Sequence, residues 1–197
     1  MMQEKITEND PLLLFSKWFE AAQKTEIDPT PMTLATTGAD GRPSARVVLL
    51  KGFDKSGFVF YTNLNSRKSA DLRHNPRAAL CFFWPTLLKQ VRIEGEASLV
   101  SDQEADAYFA TRPRERQLAA WASQQSAILE SRERLYAKYR EYEEKFAGKT
   151  IPRPPFWSGY RVTPCLFEFW IGHENRLNER ILFTREDKGW KRQLLYP

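Results

Sequence analysis

Short apolar runs separated by compact turn signals constrain the fold of this chain more than any other feature of its sequence. The run 32–37 ends at the Gly-Ala-Asp-Gly turn signal 38–41, and the run 46–51 follows it. The turn signal 54–57 precedes the run 58–63 in the same way. Because apolar runs of this length joined by tight turns pair as hairpins, the sequence predicts an antiparallel sheet.

Further strands are predicted on both sides of a helical stretch, at 78–84, 90–100, 160–171, 180–185 and 190–195, with a hairpin turn at 187–189. At least six strands interrupted once by helices indicate a mainly β fold, an antiparallel barrel with flanking helices rather than a parallel sheet. The 197 residues, of which 42% are hydrophobic, suffice for one core. We expect a single domain over 1–197, with a helical insertion at about 101–148 and C-terminal strands at about 156–197.

Capping signals set the ends of the predicted helices. A first helix opens at Asp10 and Pro11 and packs through Leu14, Trp18 and Ala22. The other predicted helices are one capped by Ser66 and ending near 75–76, one that begins with the capping box of Ser101 and Glu104 and ends at Pro113, one at 117–122, and one at 127–146 that is closed by Gly148.

Charge and composition argue against several classes of function. The formal net charge is +5, but basic and acidic residues alternate through the long helical segment 131–146, which is typical of a solvated helix face rather than of a nucleic-acid-binding stripe. The chain has only His74 and His173 beside two separated cysteines, so its sequence contains no zinc-ligand spacing. A structural metal is therefore not expected.

The sequence also indicates the cellular compartment of the protein. No apolar run approaches the roughly 20 residues that span a bilayer, and the N-terminal MMQEKITEND lacks the basic and apolar regions of a signal peptide. We therefore expect a cytoplasmic protein. Cys81 and Cys165 lie in strand-like runs, and we predict buried, reduced thiols rather than a disulfide.

The strongest functional signal is a set of cations and hydroxyls at the ends of two strand-like runs. Arg46 and Lys51 bracket an apolar run, and Tyr61-Thr62 and then Arg67-Lys68 follow. Alternating apolar surface and fixed positive charge suit a cofactor with an apolar ring and a phosphate tail. We interpret these residues as half of a flavin mononucleotide (FMN) site. No Gly-x-Gly-x-x-Gly, Walker loop or Gly-x-Ser-x-Gly motif competes with that interpretation.

Ordered motifs along nearly the whole chain carry a resemblance to a known family. They are RVVLLK from Arg46, FYTNLNSRK from Phe60, Gln90-Val91, YFATRPRE from Tyr108, WASQQS from Trp121, FWSGYRV from Phe156, FEFW ending at Trp170, and RLNER from Arg176. In these stretches the chain resembles the pyridoxamine 5'-phosphate oxidase family of FMN-binding split barrels.

The resemblance implies a homodimeric FMN enzyme with its cofactor at the subunit interface. It would oxidise pyridoxine or pyridoxamine 5'-phosphate to pyridoxal 5'-phosphate, with O2 as acceptor and H2O2 as product. The implied FMN residues are Arg46, Val47, Val48, Leu49, Leu50, Lys51, Tyr61, Thr62, Arg67, Lys68, Gln90, Gln125, Ser126, Trp170 and Arg180. The implied substrate residues are Lys51, Tyr108, Arg112, Arg116, Arg176 and Asn178, of which Arg176 and Asn178 position the reacting ring.

The residue chemistry divides the FMN set. Arg67 and Lys68, at a helix start, suit the ribityl phosphate, whereas Arg46, Gln90 and Arg180 suit ring edges and ribityl hydroxyls. A cation at the pyrimidine edge would stabilise reduced flavin.

Three departures from the family pattern affect the substrate side. Asn178 stands where the family usually has histidine, and asparagine does not titrate; His173 in the same loop is a weaker candidate for that role. Arg116 replaces a small hydroxyl, and it either strengthens phosphate binding or points to solvent. The N-terminal arm before the first helix is short, so less of the substrate would be covered.

Two other functions remain open at this point. A related FMN oxidase acting on another aromatic substrate, such as a phenazine precursor, would use the same flavin site. A non-catalytic flavin- or haem-binding split barrel would share the fold without the reaction.

Overall fold

The computed structural model describes residues 6–197, so the N-terminal segment MMQEKITEND, on which the prediction about a signal peptide rests, lies partly outside the described residues. The described residues form five helices and nine strands. The helices are α1 (Pro11–Thr25), α2 (Arg67–His74), α3 (Asp102–Thr111), α4 (Arg114–Ala122) and α5 (Arg132–Lys145). The strands are β1 (Pro31–Thr37), β2 (Pro43–Leu49), β3 (Gly52–Asp54), β4 (Gly57–Asn63), β5 (Arg77–Trp84), β6 (Lys89–Leu99), β7 (Trp157–Ile171), β8 (Glu179–Glu186) and β9 (Gly189–Leu195).

All nine strands belong to one antiparallel sheet that curls into a half-barrel. Its order is β2-β1-β5-β6-β7-β4-β3, and β8 pairs with β7 and carries β9. The 15-residue β7 organises this curl, because its start pairs with β4 while its later part pairs with both β6 and β8. The register shifts at Glu94/Gly95, and a Cβ on Gly95 would lie 2.1 Å from the Thr163 carbonyl oxygen. The predicted mainly β, antiparallel barrel is confirmed.

Helix α1 fills the inside of the half-barrel. Asp10 accepts a hydrogen bond from the Leu12 backbone at 2.8 Å and so caps the helix. Its buried face includes Phe15, whose ring packs edge-on against Phe58 and Phe82 from two strands. The inward side chains of the strands are buried around this helix, which leaves the outer face of the sheet for other contacts.

The outer face of the sheet carries a mixed surface. Phe83, Gln90, Trp170 and Arg180 are successive cross-strand partners on β5, β6, β7 and β8, and they form what we call the outer row. The outward-facing Val47 on β2 and Phe83 are 65% and 54% exposed. Exposed apolar side chains grouped on a sheet face are typical of an interaction surface.

Several sequence predictions need correction. The last helix begins at Arg132 rather than at 127, because Ser131 Oγ accepts from the Arg134 backbone and residues 123–131 form a loop. The short strand β3 was not predicted. The Ser66 side chain makes no cap hydrogen bond and instead accepts from Lys68 Nζ at 3.1 Å.

The prediction of buried thiols is wrong, although both cysteines are free. Cys165 is exposed at the register shift of β7, and Cys81 is half-buried because it points to the outer face of β5. Within residues 6–197, no helix is long and apolar enough to cross a membrane.

Candidate functional site

A cavity of about 800 Å³ lies between β2, β4, the start of α2, helices α3 and α4, and the loop after α4. That volume falls within the usual range for small-molecule sites. The predicted site residues that line it are Arg46, Val47, Val48, Leu49, Lys51, Tyr61, Thr62, Arg67, Lys68, Tyr108, Arg112, Arg116, Gln125 and Ser126. One cavity therefore gathers most of the implied FMN residues and four of the six implied substrate residues.

Lys68 is the most buried cation of this cavity, with 8% of its surface exposed. Its Nζ donates to Thr62 Oγ1 at 3.0 Å, to Ser66 Oγ at 3.1 Å and to Gln125 Oε1 at 3.1 Å. Burial, and then the nearby positive charge of Arg46, lower the pKa of Lys68 to about 8. Burial disfavours the charged form of the Lys68 amine, and a bound anion would strongly stabilise that form.

Arg46 and Arg67 complete a cluster of three cations at this end of the cavity. Burial lowers the pKa of Arg46, and the charge of Arg67 acts in the same direction. The Arg67 backbone N–H donates to Ser126 Oγ at 3.2 Å, which fastens the loop after α4 to the first turn of α2. Ser126 adopts the left-handed conformation, with φ of 74°. We call Arg46, Arg67 and Lys68 the α2 cation cluster.

The other end of the cavity is aromatic. The rings of Tyr61 and Tyr108 stack with centroids 4.0 Å apart, and Trp157 stacks on Tyr61 at 5.2 Å. Burial, and secondarily Glu104, raise the pKa of Tyr61 to about 12, and burial also raises the pKa of Tyr108. Both phenols therefore stay protonated near neutral pH and can donate hydrogen bonds.

Arg112 provides the charge at this aromatic end. Its guanidinium lies over the Trp157 ring, 4.8 Å from the centroid. Burial lowers the pKa of Arg112, and its Nη1 is buried without a hydrogen-bond partner among the described residues. An unpaired buried guanidinium nitrogen is costly unless a ligand satisfies it. Arg112 therefore points to a second anion site, with Arg116 as an exposed neighbour on α4.

Two arginines outside the cavity fix the helix that carries Tyr108. Arg161 on β7 donates to both carboxylate oxygens of Glu104 at 2.9 and 3.1 Å, and Arg153 pairs with Asp102 and Asp106. Ser101 caps α3 as predicted, accepting from the Glu104 backbone at 3.1 Å. The Glu104 carboxylate instead binds Arg161, so this side chain joins α3 to the sheet.

The remaining predicted site residues lie elsewhere in the chain. Leu50 is a core side chain, 4% exposed. Gln90, Trp170 and Arg180 occupy the outer row, where Arg180 donates to Glu168 Oε1 at 2.8 Å from both Nε and Nη2. Glu168 is 5% exposed and also accepts from Arg92 at 2.9 Å. These three predicted FMN residues do not line the cavity of their own chain, and Glu168 holds Arg180 in the outer row.

Arg176 and Asn178 lie in the loop between β7 and β8, also away from the cavity lining. Arg176 is exposed in the left-handed conformation, with φ of 60°. Asn178 Oδ1 accepts from the His173 backbone at 3.0 Å, and the His173 Nε2 lies 3.3 Å from Glu179 Oε1. In this chain Asn178 therefore braces the loop that presents Arg176.

Sequence reasoning missed several residues of the site. Trp157 belongs to the aromatic stack and lies inside the FWSGYRV stretch, which is its signal in the sequence. Asp71 and Thr36 hold Arg46, and only the three- and four-residue spacing of Asp71 from Lys68 and Arg67 hinted at a shared helix face. The described residues contain no group of three or more potential metal ligands.

Two family models match the chain. Residues 19–146 match the family described as pyridoxamine 5'-phosphate oxidase, and residues 157–197 match the pyridoxine 5'-phosphate oxidase C-terminal dimerisation region. The chain is 56% identical to a pyridoxine/pyridoxamine 5'-phosphate oxidase from Rubrobacter xylanophilus, over 95% of this chain and 87% of that protein. It is 53% identical to the enzyme of the same name from Myxococcus xanthus, over 100% and 96% of the two chains.

Solved structures agree on the architecture. The crystal structure of PhzG from Burkholderia lata 383 in complex with tetrahydrophenazine-1-carboxylic acid matches with a TM-score of 0.91, at 32% identity over 97% of this chain and 94% of that one. A pyridoxamine 5'-phosphate oxidase-related, FMN-binding protein from Nostoc punctiforme matches with a TM-score of 0.77 at 18% identity, covering 97% of this chain and 100% of that one. The second match bears on the fold alone.

Proposed function

The chain belongs to the pyridoxamine 5'-phosphate oxidase family, and on that premise we propose that it is an FMN-dependent oxidase of pyridoxine and pyridoxamine 5'-phosphate. One observation of the site carries this proposal. A single cavity contains two separate cationic positions, the α2 cation cluster at one end and Arg112 at the other, where it lies beside the stacked aromatic rings. An enzyme that binds a phosphorylated cofactor beside a phosphorylated substrate needs two such positions.

The α2 cation cluster fits the cofactor phosphate. Lys68 is buried, positively charged and surrounded by hydroxyl and amide groups, and Arg46 is coupled electrostatically to both Lys68 and Arg67. This grouping supports assigning Arg46 to the phosphate ligands rather than to the ring-edge ligands that the sequence favours. Arg67 and Lys68 open α2, where backbone N–H groups also favour an anion.

Arg112 and Tyr108 fit the substrate phosphate. The unpartnered Arg112 Nη1 and the protonated Tyr108 hydroxyl are donors, and Lys51 lines the same cavity. Arg116 lines it too, although it is exposed on α4. We assign Arg116 an auxiliary, salt-sensitive attraction for the substrate phosphate, since exposed charges act weakly.

The reaction needs no nucleophile from the chain. FMN, when bound, would supply the hydride acceptor and pass the two electrons on to O2, with H2O2 as product. Pyridoxine 5'-phosphate and O2 give the aldehyde and H2O2, and pyridoxamine 5'-phosphate with O2 and water gives the aldehyde, ammonia and H2O2. The chain's residues bind and orient the two ligands, so that catalysis is mainly positioning and electrostatics.

We propose that a second copy of the chain completes each site. The outer row and the β7–β8 loop carry predicted ligands outside the cavity, and most of them fall within the matched dimerisation region. The outer face also exposes Val47, which lies on the same strand as Arg46 at the cavity rim. A two-fold contact through this face would bring the partner's outer row to the cavity.

Anaerobic addition of pyridoxine 5'-phosphate to the FMN-loaded protein tests the proposed reaction. We expect the visible flavin absorbance to bleach, and air to restore it with formation of pyridoxal 5'-phosphate and H2O2. Bleaching by a reduced phenazine carboxylate, but by neither vitamin B6 phosphate, would instead favour the chemistry suggested by the PhzG likeness. Bound FMN that no substrate bleaches would indicate a carrier.

We also propose a cytoplasmic location, where Cys81 and Cys165 would remain the free thiols found in the structure.

A further inference from the structure

Asp71 is a buried carboxylate beside a site proposed to bind a phosphate. Its side chain is 9% exposed and lies on α2 one turn after Arg67 and Lys68, on the same helix face. The turn between β1 and β2 closes over it, since a Cβ on Gly38 would lie 3.1 Å from Asp71 Oδ1. A negative charge here opposes anion binding, so its presence needs a compensating role.

The contacts of Asp71 show what that role is. Asp71 Oδ2 accepts from Thr36 Oγ1 at 2.7 Å and lies 3.6 Å from Arg46 Nη2. Thr36 is 2% exposed, and its hydroxyl also accepts from Arg46 Nη1 at 2.6 Å. Thr36 thus uses its one hydroxyl proton on Asp71 and its lone pairs on Arg46, which links helix α2 to strand β2.

The remaining bonds of Arg46 restrict its guanidinium further. Nη1 also approaches the Leu34 carbonyl oxygen at 3.3 Å, and Nη2 donates to Ser44 Oγ at 2.6 Å. Both terminal nitrogens are therefore held by oxygen atoms of the same chain, while the side chain, 20% exposed, still lines the cavity. A fixed guanidinium loses little conformational freedom when it binds a phosphate.

We propose that Asp71 and Thr36 are positioning residues that lock the Arg46 guanidinium toward the FMN phosphate. Helix α2 then organises all three cations of the cluster, Arg67 and Lys68 directly and Arg46 through Asp71 and Thr36. The inference rests on the proposed function, because it needs FMN to be the ligand of this cluster. The negative charge of Asp71 by itself opposes phosphate binding, but the inference predicts that Asp71 increases the affinity for FMN.

Charge and positioning therefore predict opposite changes in FMN affinity when Asp71 is replaced. Titration of the apo-protein with FMN, followed by the quenching of flavin fluorescence, distinguishes the two roles. Asp71→Asn removes a negative charge near the phosphate, so a purely electrostatic role would tighten FMN binding. Positioning predicts the reverse, with FMN bound about 10-fold more weakly by Asp71→Asn and by Thr36→Val. Thr36→Ser keeps the hydroxyl and should stay within about 2-fold of the unmodified protein.

Riboflavin, which lacks the phosphate, separates positioning from a general loss of structure. We expect Asp71→Asn and Thr36→Val to weaken FMN binding but to leave riboflavin binding unchanged. Asp187→Asn, in the exposed turn after β8, is the matched control and should bind both flavins normally. Thermal unfolding of each apo-variant reports whether it is folded at the titration temperature. If Asp71→Asn does not fold, the FMN affinities of Thr36→Ser and Thr36→Val are compared instead, and only Thr36→Val should bind FMN more weakly.

A double-mutant cycle completes the test. In an Arg46→Met background, Asp71→Asn should have no further effect on FMN affinity, because the residue that it positions is gone. Tighter or unchanged FMN binding by Asp71→Asn, with no effect of Thr36→Val, would overturn the inference and leave the cofactor site intact. If unmodified protein and Arg46→Met bind FMN equally, the role proposed for Arg46 fails, and the inference falls with it.

Discussion

The corner where α2 meets β2 and the loop between β7 and β8 both carry cations predicted to bind ligands, yet they are built differently. At the corner, Lys68 is buried and makes three hydrogen bonds within its own chain. In the loop, Arg176 is exposed, and the neighbouring Leu177 is 72% exposed. The difference indicates that the cations of the corner are already fixed within one chain, whereas the loop presents its cation from an exposed segment.

The energetic basis of this contrast is pre-organisation. Within the corner, the desolvation of Lys68 and the fixing of Arg46 are accomplished during folding, so a phosphate meets donors that are already in place. Within the loop, a single side-chain bond from Asn178 to the His173 backbone braces an exposed segment. Changes at the corner should therefore affect cofactor affinity strongly, and changes in the loop should affect substrate kinetics more weakly.

The largest expected effect is that of Lys68→Met. Loss of a buried, charge-assisted contact to the phosphate costs about 2–3 kcal/mol, or about 100-fold in FMN affinity. Fluorescence titration of the apo-protein measures this, with Lys188→Met in the exposed β8–β9 turn as a control that should bind FMN normally. Similar FMN affinities of Lys68→Met and Lys188→Met would show that Lys68 contributes no more to FMN binding than an exposed surface lysine does.

The pH dependence of FMN affinity should be the next largest effect. The pKa of Lys68 in the apo-protein is lowered to about 8, and the phosphate favours the charged amine. Above pH 8 binding must take up a proton, so affinity should fall by up to about 10-fold per pH unit between pH 8 and 9.5. Calorimetry in buffers of different ionisation enthalpy measures the proton uptake, which should vanish in Lys68→Met. A slope that persists in that variant would assign the titration to another group.

A smaller effect is expected from Asn178→Ala in the loop. Loss of the bond to the His173 backbone loosens the segment that presents Arg176 and should raise KM for pyridoxine 5'-phosphate about 5-fold, corresponding to about 1 kcal/mol. FMN affinity should not change, and Asn178→Asp, which keeps the acceptor oxygen, should behave nearly as the unmodified chain does. Steady-state kinetics of Asn178→His add a further comparison, because an increase in kcat would show that asparagine replaces a titrating residue at a cost. Equal changes in FMN affinity and KM would contradict the separation of the two regions.

The sequence predicted the corner better than the loop, for physical reasons. The cations of the corner lie within local motifs, at the end of a predicted strand and at the start of a predicted helix, and the structure brings them to one cavity. Asp71 and Thr36 are 35 residues apart, so their contact depends on how α2 packs against β1. No periodicity reports such packing.

Other features depended on chemistry that single positions do not reveal. The sequence motif identifies Asn178 only by the histidine that it replaces, whereas in the structure the Asn178 side chain accepts from a backbone N–H in its own loop. Residues 127–131 continue a helical composition, but the Ser131 cap fixes the start of α5 at Arg132. The outer row follows from strand register, and register becomes visible only when β6, β7 and β8 are paired.

The claim that each site is shared between two chains is tested most directly by complementation between two defective variants. Lys68→Met disables the cavity, and Arg176→Ala disables the loop proposed to reach the partner's cavity. Refolded together from an equal mixture, the two should regain about a quarter of the activity of the unmodified protein, because half of the dimers are mixed and each mixed dimer has one intact site. A mixture no more active than the average of its two parents would show that each chain builds its site alone.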